Sequence, residues 1–170
     1  PLAASGKAGR NLPAAVTTAI VLIVAASLPL VYVPWLFVVF IGVLVLAGLW
    51  ELGGAFARLG TSLMMPPLYI GAIGMLTCAW TLGPEALLFA LYATFFAVVT
   101  WRILEGDMKG CIQDVMASVF AAVYIPFLAS FVVLMVKDLQ DPWLVLVYVG
   151  LGVASDTGGW VAGVLFGKHP

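Results

Sequence analysis

The chain has 170 residues, of which 64% are hydrophobic and only 9% are charged, and its formal net charge is -1. A soluble globular domain carries about 25% charged residues, and a water-soluble fold of this size would leave too much apolar surface in contact with water. The composition therefore excludes an ordinary soluble domain, and the net charge gives no indication of nucleic-acid binding. A lipid bilayer can cover the apolar side chains, so we predict an integral membrane protein.

Six apolar runs follow one another along the chain, separated by short segments that hold Gly, Pro or Asp. A membrane-crossing helix needs about 20 mostly apolar residues, and Gly, Pro and Asp are typical of turns. The runs are too long for barrel strands and do not alternate apolar with polar residues. We predict an all-α, polytopic transmembrane helix bundle over residues 14–170, after a tail at residues 1–13. Its spans are residues 14–33, 35–57, 68–82, 86–104, 115–136 and 143–166.

The basic residues predict how this bundle is oriented. With six spans, six of the seven Lys and Arg residues fall on the side of the N-terminus, and Lys137 falls on the other side. The six are Lys7, Arg10, Arg58, Arg102, Lys109 and Lys168. Because cytoplasmic loops carry an excess of Lys and Arg, we predict that the N-terminus and the end of the sixth span both face the cytoplasm.

Three charged residues lie within the predicted spans, namely Glu51, Arg102 and Asp156. A charge at the centre of a crossing helix costs roughly 2.5–3.5 kcal/mol on insertion scales. Glu51 and Arg102 either pair with each other, reach the interface with their long side chains, or serve a function. Asp156 lies deeper in its span and has no Lys or Arg near it in sequence until Lys168.

Asp156 supplies a carboxylate, and its neighbours Ser155, Thr157, Gly158 and Gly159 add two hydroxyls and two glycines. A carboxylate in this setting suits Mg²⁺, which binds through one or two carboxylates plus substrate phosphates, although an Asp can also hydrogen-bond a neighbouring helix. Gly159, Gly163 and Gly167 are spaced by four residues and predict a helix-packing face. His169 is the only histidine and is weak evidence for a site.

The connection from Glu105 to Asp114 is acidic. We interpret Glu105, Asp107 and Lys109 as an ordinary solvated loop, whereas Asp114 suits the N-terminus of the fifth helix. Cys78 and Cys111 have neither C-x-x-C nor metal-ligand spacing, so we predict unpaired thiols.

One segment of the sixth span resembles a known family. Ser155–Trp160, followed by Gly163 and then Phe166–His169, resembles phosphatidate cytidylyltransferase, also called CDP-diacylglycerol synthase. Gly159 stands where many members have Ala, and Trp160 stands where Tyr is common. Weaker likenesses lie upstream and involve Trp50-Glu51-Leu52, Trp101-Arg102, Asp114, Tyr124 and Pro126.

The resemblance implies an enzyme that transfers CMP from CTP to phosphatidic acid, with Mg²⁺ as cofactor. It implies that Asp156 is the catalytic and metal-binding residue and that Ser155, Thr157 and Gly158 shape the substrate pocket. Lys168 would contact phosphate, or would serve only as a cytoplasmic anchor. The resemblance also implies the cytoplasmic (inner) membrane of a bacterium and a homodimer.

The family continues beyond this segment into further helices and a Lys- and Asp-rich signature that holds much of the active site. We therefore expect this chain to represent the N-terminal part of such an enzyme and to be incomplete as a catalyst. Alternatives from the residues alone are a transporter or channel, and an assembly subunit without chemistry. A CTP-dependent lipid-alcohol kinase or CDP-archaeol-type synthase is a related enzyme alternative.

Overall fold

The computed structural model of the protein describes residues 21, 24–25, 27–106, 109–139 and 142–166. All regular secondary structure in these ranges is helical. The elements are α1 (Pro34–Arg58), α2 (Met65–Thr81), α3 (Pro84–Leu104), α4 (Cys111–Ala122), a π-helical segment (Val123–Phe127), α5 (Leu128–Leu139) and α6 (Pro142–Phe166).

Several of these helices are suited to a bilayer. Within the described ranges, three stretches are long and apolar enough to cross a membrane, namely Pro34–Arg58, Pro84–Leu104 and Cys111–Asp138. The protein is thus a multi-pass helical membrane protein, as its composition predicts. The count of six spans stays a prediction, because half of the first predicted span lies outside the described residues.

Proline marks the beginnings of the helices. Pro34 and Pro84 are the first residues of α1 and α3, and α2 has Pro66 as its second residue. The sequence prediction placed these starts one to three residues too late, because it assigned the prolines to turns. A proline fits the first helical turn, where its missing N–H would have no partner within the helix.

Pro126 lies inside the long helical stretch formed by α4, the π-helical segment and α5. Because proline has no N–H, it cannot donate to the carbonyl of Ala122, and the helix widens locally into a π turn. The Ser130 hydroxyl donates to the Pro126 carbonyl over 2.7 Å. The predicted fifth span, 115–136, therefore belongs to one interrupted helical stretch that begins four residues earlier, at Cys111.

Helix α2 forms the centre of the bundle and packs against α1, α3 and α5. Leu68, Ala72, Met75 and Ala79 on α2 are fully buried. Outward-facing apolar side chains such as Phe89 remain exposed, as expected of a lipid-facing surface. The apolar core is therefore narrow and is built around one short helix.

Gly71 permits the close approach of α2 to α3. A Cβ built at Gly71 would lie 2.8 Å from the Cβ of Thr94 and closer still to its Oγ1 and Cγ2 atoms. Thr94 is buried and donates to the Ala90 carbonyl, so it has little freedom to move away. We expect Gly71→Ala to lower the free energy of unfolding by about 1–3 kcal/mol through overpacking.

The matched control is Gly74→Ala on the same helix, where an added Cβ meets no described atom within 4 Å. That change is expected to be neutral or stabilising, since Ala has a higher helix propensity than Gly. Thermal unfolding of both variants in detergent measures the difference. Equal unfolding temperatures for the two variants would contradict the close α2–α3 contact.

The two ends of the bundle differ in charge. Arg58, Arg102 and Lys109 lie at one end, which also holds residues 59–64 and which we call the basic end. Lys137 lies at the opposite end, where its ammonium group donates to the Thr81 carbonyl over 3.2 Å. This is the separation that the basic residues predict, while the assignment of the basic end to the cytoplasm stays a prediction.

Candidate functional site

A buried ion pair lies at the basic end. Arg102 on α3 is 5% exposed and Asp114 on α4 is 7% exposed. The Nε and Nη2 atoms of Arg102 each lie 3.2 Å from Oδ2 of Asp114. Of the alternatives left open for Arg102, pairing with Glu51 is wrong, because Arg102 pairs instead with Asp114 in the first turn of α4. Removing one member of a buried pair leaves an uncompensated charge, so the two residues are expected to depend on each other.

Further groups among the described residues contact the guanidinium. Its Nη2 atom donates to the Lys109 carbonyl over 2.8 Å, and its Nη1 atom lies 3.8 Å from Oε2 of Glu105. The exposed Glu105 also accepts a hydrogen bond from Trp101 Nε1 over 3.0 Å. Glu105 therefore lies at the exposed rim of the ion pair. Asp107 lies outside the described residues.

The start of α4 also holds the connection between α1 and α2. The Ser62 N–H donates to Oδ1 of Asp114 over 2.9 Å, and the Met64 N–H donates to the Ser118 hydroxyl over 3.0 Å. Ser118 in turn donates to the backbone carbonyl of Asp114 over 2.8 Å. Asp114 thus serves as an N-terminal acid of α4, as the sequence predicts, and additionally fixes Arg102 and the loop at residues 59–64.

Next to this loop, a cavity of about 930 Å³ opens at the basic end. It lies between the C-terminal half of α1, the loop, the start of α2 and Ile125 of the π-helical segment. Four residues with polar side chains line it, namely Glu51, Arg58, Ser62 and Tyr69. Because Ser62 is hydrogen-bonded to Asp114, the buried ion pair helps to define one wall of the cavity.

Glu51 and Arg58 are on the same face of α1, since they are seven residues, or about two helical turns, apart. Both are exposed, and neither makes a hydrogen bond or an ion pair with any residue that the structure describes. Glu51 is therefore exposed at the cavity and has no partner among the described residues, and a function for it stays a prediction. No pattern in the sequence predicts the cavity. Pro126 predicts only an irregularity in the helical stretch that contributes Ile125 to the lining.

The segment predicted to carry the chemistry lies on α6. Val145, near the start of this helix, packs with Leu30 and Phe37 at the end of the bundle opposite the basic end. Since α6 then runs back along α5, its second half, with Asp156 on it, extends toward the basic end. Ser155 and Gly158 are exposed, whereas the positions of the Asp156 and Thr157 side chains lie outside the described part.

The predicted helix-packing face of glycines and the predicted role of Lys168 are not tested by the described residues. A Cβ built at Gly158, Gly159 or Gly163 meets no described atom within 4 Å, so the helix-packing face stays a prediction. Lys168 and His169 lie outside the described residues. The structure thus places Ser155, Asp156, Thr157 and Gly158 on one helix and does not describe Lys168.

The donor set for a metal ion is sparse in the described ranges. They contain no group of three His, Cys, Asp or Glu residues that would hold a metal ion. Magnesium often binds through one or two carboxylates together with substrate phosphates, which suits single carboxylates such as Asp156. Cys78 and Cys111 are both free thiols, as predicted.

Residues 13–170 match the model of the Cytidylyltransferase family. The chain belongs to this family. Among curated cytidylyltransferases, it is 28% identical over 183 residues to the phosphatidate cytidylyltransferase of Mycobacterium bovis, an alignment that covers 100% of this chain and 60% of the relative. It is 29% identical over 179 residues to that of Mycobacterium leprae, covering 96% of this chain and 57% of the relative. No solved structure matches the chain.

The chain therefore spans less than two thirds of the length of these curated relatives. The family match covers the buried ion pair, the cavity and the Ser155–Trp160 segment together. Membership in this family confirms the resemblance that the sequence analysis found in that segment.

Proposed function

We propose that this protein takes part in the transfer of CMP from CTP to phosphatidic acid, which yields CDP-diacylglycerol and pyrophosphate. The observation that carries the proposal is the family match over residues 13–170, supported by relatives that are named phosphatidate cytidylyltransferase. A membrane-embedded helical bundle suits a reaction in which one substrate is a lipid and the other is a water-soluble nucleotide.

In the proposed reaction, a phosphate oxygen of phosphatidic acid attacks the α-phosphorus of CTP. The bond from the α-phosphorus to the oxygen bridging the β-phosphate breaks, and pyrophosphate leaves with that oxygen. Phosphoryl chemistry of this kind depends on in-line positioning and on neutralising charge more than on a protein nucleophile. The protein residues are therefore expected to hold and orient two anionic groups.

Asp156, in the second half of α6, is our candidate for this role. We propose that its carboxylate binds Mg²⁺, which when bound would neutralise phosphate charge. Ser155, Thr157 and Gly158 would shape the pocket around the nucleotide, and Lys168 would contact a phosphate. We propose the bacterial inner membrane as the location, with the basic end in the cytoplasm where CTP is available, and a homodimer as the assembly.

A substrate panel tests the proposed reaction. Membranes that contain this chain within a full-length enzyme of the family should release pyrophosphate from CTP when phosphatidic acid is supplied, and should form CDP-diacylglycerol in equal amount. Phytol and a polyprenol replace phosphatidic acid in parallel assays, because a lipid-alcohol kinase or a related synthase would act on different lipids. CTP turnover with an alcohol but not with phosphatidic acid would contradict the proposal.

A further inference from the structure

We propose that the cavity between α1 and the loop at residues 59–64 binds the lipid substrate, with the phosphate of phosphatidic acid beside Arg58. This inference rests on the proposed function for the identity of the lipid. It assigns that lipid to a place on α1 and α2, separate in sequence from the Ser155–Trp160 segment that we assign to the nucleotide.

The lining of the cavity favours a lipid over a nucleotide. Its apolar side chains include Leu52, Leu63, Met65 and Ile125, and it has only four residues with polar side chains. A CTP site would need many hydrogen-bond partners for a base, a ribose and three phosphates, whereas an apolar wall with few polar groups suits acyl chains and one headgroup.

The cavity is also continuous with the outer surface of the bundle. Trp50 lines it and is 70% exposed, so this side chain stands at the mouth of the cavity. Tryptophan is enriched where membrane proteins meet the headgroup region of the bilayer. A lipid in the leaflet at the basic end would therefore meet the opening directly from the membrane.

Charge places the headgroup within the cavity. Arg58 ends α1 and makes no ion pair with any residue of the described ranges, and a guanidinium group pairs well with phosphate oxygens. Glu51 carries the opposite charge about 10 Å farther along the helix. The phosphate is therefore expected beside Arg58, because the Glu51 carboxylate would repel it from the part of the cavity that lies farther from the basic end.

The backbone leaves room for the lipid. Gly54 lines the cavity, and a Cβ built there meets no described atom within 4 Å. Ile125 reaches the cavity from the π-helical segment, and π turns inside α-helices are frequent at functional sites. A larger side chain at position 54 is thus expected to occupy the cavity without disturbing the packing of the bundle.

Lipid binding by the full chain tests this assignment directly and needs no CTP. Delipidated protein is titrated with phosphatidic acid or with phosphatidylglycerol of the same acyl composition, and bound lipid is counted by native mass spectrometry. Arg58→Gln is expected to weaken phosphatidic acid binding about 10-fold, because it removes a charge-assisted hydrogen bond to the phosphate. Gly54→Leu is expected to weaken it at least as much, whereas Glu51→Gln should preserve or tighten binding.

The matched control is Gly74→Leu, which adds the same side chain to an open position on α2 that does not line the cavity. It should leave phosphatidic acid binding unchanged. Unaltered binding of phosphatidic acid in either Arg58→Gln or Gly54→Leu would overturn the assignment. A loss of phosphatidylglycerol binding equal to the loss of phosphatidic acid binding would also overturn it, because that result would indicate a general surface for anionic lipids.

Turnover separates this inference from the proposed function. In an active preparation, Arg58→Gln should raise the KM for phosphatidic acid about 10-fold and leave the KM for CTP unchanged. A rise in the KM for CTP instead would overturn the lipid assignment while leaving the reaction intact. If a full-length enzyme that contains this chain showed no CTP turnover while its variants lost selective phosphatidic acid binding, the lipid site would be supported and the proposed function contradicted.

Discussion

Replacing Asp156 by Asn in a full-length enzyme that contains this chain is expected to lower CTP-dependent turnover with phosphatidic acid by on the order of 100-fold or more. The substitution keeps the size of the side chain and removes its negative charge, so a cation is held less tightly beside the phosphates. Stabilisation of phosphate charge by a bound metal ion contributes several kcal/mol, and each 1.36 kcal/mol corresponds to about a factor of ten in rate. Pyrophosphate release at saturating substrate measures the effect.

The control for this change is Asp138→Asn, which removes an exposed carboxylate at the end of the bundle opposite the basic end. It should retain the turnover of the unmodified protein. Because Asn is nearly isosteric with Asp, both variants should unfold at about the same temperature. Near-normal turnover in Asp156→Asn would contradict the role that we assign to this residue.

The fold follows largely from composition and spacing. In a bilayer, the backbone N–H and C=O groups of the long apolar runs must find partners within the protein, and an α-helix supplies these partners within each run. The helical class was therefore predictable. The local geometry was less predictable. The sequence places Pro126 in the middle of a span, but whether a π turn forms there depends on where the Ala122 carbonyl, which Pro126 cannot bond, finds another donor. The starts of α1 and α3 were misplaced because Pro34 and Pro84 fit a helix start as well as a turn.

The site illustrates where sequence reasoning stops. The Ser155–Trp160 segment is contiguous, so its family likeness could be read directly from the residues. The cavity is formed by residues 48–69 together with Ile125, which is far from them in sequence, and no local pattern brings the π-helical segment against α1. The partner of Arg102 was likewise missed, because Glu51 and Asp114 were both available carboxylates and only the packing of α3 against α4 selects Asp114.

Replacing Asp114 by Ala is expected to lower the free energy of unfolding by about 3–5 kcal/mol. Arg102 would remain buried without its closest carboxylate, and the Ser62 N–H would lose its acceptor. The matched control is Glu105→Gln, because that carboxylate is exposed and lies farther from the guanidinium, at 3.8 Å. Exposed ion pairs contribute about 0–1 kcal/mol, so the control should unfold close to the unmodified protein.

A double variant separates the loss of the pair from the loss of a neutral packing contact. Asp114→Leu combined with Arg102→Met removes both charges and keeps much of the volume, so it should be more stable than Asp114→Ala. Unfolding in detergent, followed by circular dichroism, measures all four proteins. If Asp114→Ala were no less stable than Glu105→Gln, the ion pair would not hold α3 to α4.

The same variants connect the ion pair to the cavity. Asp114 holds Ser62, and Ser62 lines the cavity between α1 and α2, so the double variant restores stability without restoring this hydrogen bond. Its phosphatidic acid binding should therefore remain weaker than that of the unmodified protein even where its unfolding temperature recovers. Full recovery of lipid binding in the double variant would show that the loop at residues 59–64 keeps its position without Asp114.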